Sequence, residues 1–155
     1  MDLAIRQATE ADLPEITALF RNTVTAVNTK HYNAKQIEIW ASVANETSKW
    51  LERIAEHYFI VAENDTEIVG FAYLKNGYYL DGLFVHKDYL RQGVASALLR
   101  TIESQVMVED FPEIRSDVSI TALPFFENKY YEIVKKQKKN FKGMVFQNYI
   151  VKKTL

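Results

Sequence analysis

Apolar residues recur along the chain at two spacings, and each spacing names a kind of element. Leu13, Ile16, Phe20, Val24 and Val27 stand three or four apart, which predicts a helix burying one face. Thr9 and Asp12 offer capping side chains ahead of it, and Pro14 falls where a first helical turn tolerates proline. Asn33 is placed to cap a second short helix carrying Ile37 and Trp40, and Thr47 a third carrying Trp50, Leu51 and Ile54. Elsewhere the pattern is that of strands. Leu3 to Gln7 alternates, HYFIVAEN and EIVGFAYL are β-rich runs joined by the turn Asn64-Asp65, and the hairpin dipeptide Asn76-Gly77 leads into YYLDGLFV. Strands at about 57–63, 67–75 and 78–86 are therefore expected to form an antiparallel meander.

After His86 the helical period returns, with Val94, Leu98, Ile102 and Val106 on one face and Gly93 at the start. Residues 113–119 predict a further strand and 122–129 a short helix. YEIVKKQ and MVFQNYIVKK then predict a terminal hairpin about a loop at Asn140 to Gly143. No repeat, low-complexity stretch or linker interrupts this order, so one α+β domain over residues 1–155 is expected.

Composition narrows the chemistry. A length of 155 residues suffices for a sizeable core, and 48% hydrophobic with 25% charged residues excludes intrinsic disorder. Nineteen Lys plus Arg against twenty Asp plus Glu leave a formal net charge of -1, which argues against nucleic acid or an anionic membrane as the main partner. The absence of cysteine excludes disulfides, thiolate zinc sites and a cysteine nucleophile. The three histidines are scattered, and no His/Asp/Glu spacing suggests a metal. No apolar run reaches the ~20 residues of a membrane span, and MDLAIRQATEAD lacks the regions of a signal peptide; a cytoplasmic protein is expected.

The stretch LFVHKDYLRQGVASALL, residues 83 to 99, carries the most information. An apolar strand runs into a polar turn, and Gly93, Ala95 and Ser96 open an amphipathic helix. Small residues there admit a ligand close to the backbone, and the free N–H groups and dipole of a helix start favour an anion. Arg91 adds a positive charge able to grip phosphate oxygens. The endings of the P-loop and of the dinucleotide fold are both absent. A diphosphate-bearing cofactor fits this turn; simple turn geometry is the plainer alternative.

The order of elements resembles the GNAT superfamily of N-acetyltransferases over nearly the whole chain. Its acetyl-CoA signature, Gln/Arg-x-x-Gly-x-Gly/Ala, falls on Leu90-Arg91-Gln92-Gly93-Val94-Ala95, with Leu90 departing from the usual Gln or Arg. Downstream, SITALPFFENKYYEIV is similar to the family's Asn-x-x-Ala-x-x-(Leu/Phe)-Tyr-x-x-x-Gly-Phe, placing Ser119 on the Asn and Phe126 on the Tyr. The resemblance implies an acyl-CoA N-acyltransferase fold, a central mostly antiparallel sheet flanked by helices, with acetyl-CoA as co-substrate and no metal. It also implies that Leu83, Phe84 and Val85 line the pantetheine arm. Arg91, Gln92, Gly93, Val94, Ala95 and Ser96 would hold the phosphates, with Ser119 and Phe126 nearby. Where the family's tyrosine is the proposed general acid, Phe126 has no proton to give; Tyr130 and Tyr131 are the neighbouring hydroxyls in sequence.

Acetyl transfer to an amine needs a base, because an alkyl amine of pKa ~10.4 must be neutral to attack. Asp81, two residues before Leu83 in an otherwise apolar strand, is the candidate for base or amine anchor; a solvent-facing strand residue is the alternative. His31, Tyr32, Trp40 and Tyr79 are candidates for the acceptor pocket, and Tyr73 and Tyr78 fall on the same side. The run KKQKKNFK reads either as a CoA-phosphate attractant or as a solvated hairpin face. Three functions follow, in order of preference. The first is acetyl transfer to a small-molecule amine by direct attack in a ternary complex. The second is a non-catalytic CoA-binding sensor, and the third is peptide or protein acetylation. A homodimer is compatible with all three.

Overall fold

The computed structural model describes residues 2–155, and its framework is one seven-stranded sheet in the order β1-β2-β3-β4-β5-β7-β6. The strands are β1 (Ala4–Gln7), β2 (Tyr58–Glu63), β3 (Ile68–Lys75), β4 (Tyr79–Val85), β5 (Glu113–Ser119), β6 (Glu132–Phe141) and β7 (Met144–Thr154). Neighbours are antiparallel except β4 and β5, which the crossover helix α4 (Val94–Val108) makes parallel. Three helices precede the meander: α1 (Leu13–Val27), α2 (Ala34–Ala41) and α3 (Thr47–Glu56). A short α5 (Leu123–Asn128) follows β5.

The two sheet faces carry separate cores. Ile60, Ala72, Leu80, Ile114, Val118 and Val151 meet Leu98 and Ile102 of α4 on one face. Phe59, Val61 and Phe71 meet Ile16, Phe20 and Val24 of α1 and the fully buried Trp50 of α3 on the other. The inward face of α1 is the expected one, with Leu19 and Thr23 added and Val27 only half-buried. Burying both faces explains why β2 and β3 read as near-continuous apolar runs.

Turn chemistry follows the sequence closely. Asn76 and Gly77 both have positive φ, 57° and 82°, as a type I′ hairpin requires. Lys142 and Gly143 repeat this geometry, so the terminal hairpin turns on two residues and β6 extends through Asn140 to Phe141. Asn33 caps α2 as expected, accepting from Gln36 N–H at 2.9 Å while Gln36 returns the bond at 2.8 Å. The expectation for Thr47 is corrected. Glu46 holds the cap position of α3 and Thr47 is its first helical residue, because a 3₁₀ turn, Ser42–Asn45, carries the chain straight into the helix.

Candidate active site

β4 and β5 pair only at Tyr79 with Arg115 and Leu80 with Ser116. The Ser116 hydroxyl donates to the Leu80 carbonyl at 2.7 Å, marking the vertex of a splay. Beyond it the two strands part around a cleft of about 1370 Å³ that Asp81, Leu83, Phe84, Val85, Asp117 and Ser119 line. The Val85 carbonyl is taken by the Thr23 hydroxyl at 2.8 Å. The remaining β4 edge groups facing β5 have no strand partner and suit an extended, amide-bearing ligand.

At one end of the cleft stands the start of α4. Gly93 occupies its cap position at φ 85°, and Arg91 is also left-handed at φ 59°. A glycine cap brings no side chain to the N–H groups of Val94, Ala95 and Ser96, and the first bond of the helix runs from Ala97 N–H back to Gly93. A Cβ added at Gly93 would meet nothing within 4 Å. Three free donors, open space above a glycine and the neighbouring Arg91 are the features that suit an anion such as phosphate. Arg91, Gly93, Val94, Ala95 and Ser96 all line the cleft. Gln92 does not: its amide lies 3.5 Å from the Asp88 carbonyl, on the outer side of the turn that the two left-handed residues make.

Near the vertex the β3–β4 register slips, with Tyr73 opposite Gly82 but Leu74 opposite Leu80. Asp81 is the unpaired residue of this bulge, which explains how a carboxylate inside an apolar strand reaches the cleft. It makes no hydrogen bond or ion pair with any described residue. Tyr73 crosses the bulge, its ring packed on Gly82 so closely that a Cβ there would fall 2.9 Å from the hydroxyl oxygen. Burial raises the Tyr73 hydroxyl above its ordinary pKa, Arg53 opposing and Asp81 reinforcing the shift, so the group stays protonated at neutral pH.

The other wall is aromatic. Tyr32 and Trp40 meet edge to face at 5.4 Å, and Phe146 packs against both. The Tyr32 hydroxyl accepts from Ile120 N–H at 3.0 Å and donates to the Gln147 carbonyl at 2.8 Å, so its ring faces the cleft while its polar end ties the α1–α2 segment to β7. His31 lines the rim and pairs with the Thr121 hydroxyl at 2.9 Å. Two other expected residues lie off the cleft. Burial and the neighbouring Asp117 carboxylate hold the Tyr79 hydroxyl above its ordinary value, and Tyr78 packs on Phe111 at 5.5 Å. Hydrogen bonds from Tyr79, Lys139 and Gln137 outweigh burial and hold the Asp117 carboxyl below its ordinary value. The lysine run therefore serves in part to neutralise acids: Lys139 reaches Asp117 at 3.0 Å and Lys142 reaches Glu46 at 2.8 Å.

A family model described as an acetyltransferase (GNAT) domain matches residues 28–153. The chain belongs to the GNAT acetyltransferase family. It is 34% identical over 151 residues to an N-acetyltransferase of Escherichia coli K12, YafP, described as uncharacterized, covering 97% of this chain and 95% of that one. A crystal structure described as "GCN5-Related N-acetyltransferase: Aminotransferase, Class-II" from Rhodopseudomonas palustris superposes with a TM-score of 0.97 at 26% identity, over 100% of this chain and 97% of the other. The PaiA N-acetyltransferase of Thermoplasma acidophilum, solved with coenzyme A, shares the fold at a TM-score of 0.80 and 19% identity, over the whole of both chains.

As a GNAT protein the chain is an acetyl-CoA-dependent N-acetyltransferase. In this GNAT fold Phe126 lines the cleft, packed among Phe125 and Tyr131. Neither neighbouring tyrosine replaces it: Tyr131 donates to Glu103 at 2.7 Å away from the cleft, and Tyr130 is 83% exposed. Of the tyrosines lining the cleft, Tyr32 and Tyr89 spend their hydroxyls inside the protein, while Tyr73 has no partner among the described residues. Sequence reasoning placed Tyr73 on the acceptor side without a role, and it missed Arg53, which lines the same cleft. Among the described residues no group of three acidic or histidine side chains is arranged for a metal, and no helix is long and apolar enough to cross a membrane.

Proposed function

We propose that the protein acts as a single domain that transfers the acetyl group of acetyl-CoA to a primary amine of a small molecule, by direct attack in a ternary complex. The observation that carries this reading is the free carboxylate of Asp81, presented by a bulge in the same cleft that holds the uncapped start of α4. Acetyl-CoA supplies the activated thioester. The N–H groups of Val94, Ala95 and Ser96 with Arg91 bind its phosphates, and the unpaired edge of Leu83, Phe84 and Val85 holds the chain that follows. Asp81 accepts a proton from the incoming ammonium, directly or through one water, so that nitrogen attacks as a neutral amine. As the C–N bond forms and the C–S bond breaks, the Tyr73 hydroxyl gives its proton to the departing sulfur, the role that Phe126 cannot fill, and the second proton lost by the nitrogen returns to the Tyr73 oxygen, directly or through one water. The absence of cysteine favours direct attack over a thioester carried by the enzyme.

Calorimetric titration with acetyl-CoA, followed by a thiol-release screen of amines, tests the reading. Binding of acetyl-CoA but not ATP is expected, together with turnover of at least one amine. Asp81→Asn is expected to lower that turnover about 100-fold or more, the usual worth of a positioned acid or base. Unchanged turnover in Asp81→Asn overturns the role of Asp81. Binding without turnover of any amine overturns the transfer reading in favour of a CoA sensor.

A further inference from the structure

Arg53 is a cation of the cleft that the proposed chemistry does not use. It lies one turn after Trp50 on α3, its guanidinium carbon 4.7 Å from the Trp50 ring centre and 5.7 Å from that of Tyr73. This platform is rigid, because Trp50 is fully buried and its indole N–H donates to the Val43 carbonyl at 2.9 Å. Yet no N–H of its guanidinium has a hydrogen-bond partner among the described residues, Nη1 being sealed from solvent as well, and although Arg53 acts electrostatically on Glu46 it forms no ion pair with a described residue. Burying a charged donor unpaired is costly, so such a group calls for an explanation, and a ligand in the cleft is one that supplies the missing partner.

The other acids of the cleft wall are already engaged. Glu46 holds Lys142 at 2.8 Å and Lys49 at 3.7 Å, and Asp117 holds Lys139 and Gln137 at 3.0 Å each. Two charged groups therefore stand uncommitted around the Tyr73 ring, the guanidinium of Arg53 and the carboxylate of Asp81; both act electrostatically on its hydroxyl. The phosphate cradle is not the source of Arg53's partner. Val94 packs on the α4 face of the sheet, whereas Trp50 and Tyr73 belong to the core on the opposite face.

We infer that the acceptor carries a carboxylate beside its reacting amine, as an amino acid does, with the carboxylate on Arg53 and the amine on Asp81. A planar guanidinium matches a carboxylate through two parallel N–H bonds, and one cation with one anion matches a zwitterion of zero net charge. This inference rests on the N-acetyltransferase reading above and names its substrate class.

The test is a thiol-release screen with acetyl-CoA in which each L-amino acid is run beside its decarboxylated amine and its carboxamide. At least one amino acid is expected to exceed both counterparts by about 10- to 100-fold in kcat/KM, the usual worth of a charge-assisted pair. In Arg53→Met that ratio is expected to collapse toward one, and in Arg53→Lys, which keeps charge but loses the fork, to fall part-way. A ratio does not depend on the fraction of protein folded, and acetyl-CoA binding to each variant confirms an intact site. Amines turned over as well as amino acids overturn the carboxylate inference and leave acetyl transfer standing. A preference that survives Arg53→Met overturns the assignment to Arg53. If no compound is acetylated although acetyl-CoA binds, the inference fails together with the small-amine reading.

Discussion

The ring of Tyr73 occupies the space a side chain would fill at Gly82, so that a Cβ on residue 82 would come 2.9 Å from the tyrosine hydroxyl oxygen. The tyrosine is on β3 and the glycine on β4, opposite each other across the bulge that exposes Asp81. The missing side chain thus lets the tyrosine ring of one strand lie over the next, beside the bulge.

Replacing Tyr73 by Phe is expected to lower kcat about 100-fold while leaving the Kd of acetyl-CoA unchanged, since proton donation is lost and the phosphate cradle is untouched. Because the hydroxyl has no partner among the described residues, the melting free energy should stay within about 0.5 kcal/mol of wild type. Single-turnover kinetics and thermal melting check the two halves separately. Full activity in the variant would remove Tyr73 from the chemistry.

Gly82→Ala is expected to destabilise the fold by about 1–3 kcal/mol, the range for overpacking a filled interior. Combining it with Tyr73→Ala should recover much of that loss, because the clashing ring is gone. A double-mutant cycle by denaturant unfolding measures the coupling, which should exceed about 0.5 kcal/mol.

Gly93→Ala is expected to raise the Kd of acetyl-CoA more than tenfold. Its φ of 85° costs a non-glycine residue about 1–2 kcal/mol, and the added methyl projects into the open space above the free N–H groups. Arg91→Ala should weaken binding less and mainly at low salt, because an exposed charge is screened. Calorimetry at two ionic strengths separates these effects; equal salt dependence in wild type and Arg91→Ala would take Arg91 out of the cradle.

Acid stability should depend on Asp12. Arg6 donates to both its oxygens at 2.8 and 2.9 Å, and Thr9 N–H adds a third bond at 2.7 Å. The Arg6 hydrogen bonds, against the cost of burial, hold the Asp12 carboxyl below its ordinary value. A carboxyl lowered in the folded state contributes stability that is present above its unfolded value of about 4, and loses it as pH falls through the folded one. Arg6 is more than a third exposed, so the contribution is about 1 kcal/mol. Asp12→Asn should therefore lower stability at pH 7 and leave it unchanged near pH 2, as urea melts at the two pH values will show.

Much of the fold was legible in the residues because its signals are local. The I′ turn at Asn76-Gly77, the capping box of Asn33 and Gln36, and the α4 stripe of Val94, Leu98, Ile102 and Val106 each lie within one or two turns of chain. The open helix start at Gly93 was legible for the same reason, since helix start, glycine and Arg91 are contiguous. Gln92 was the exception within it, because only the left-handed pair at Arg91 and Gly93 shows which way the turn faces.

The acceptor end could not be read this way. Arg53 and Tyr73 come from different elements, and their meeting depends on how α3 packs on β3. That Asp81 reaches the cleft depends on a slip between two strands, which no alternation pattern reveals. The sequence alone determined the order of elements, the family resemblance and the glycine-capped helix start, because propensity and turn chemistry act between near neighbours. The tertiary structure decided which of the cleft tyrosines has a hydroxyl without a partner among the described residues, that Tyr79 stands beside Asp117, and that Arg53 has no ion pair among the described residues. Those are properties of side chains brought together across a sheet, where packing and the bulge set who meets whom.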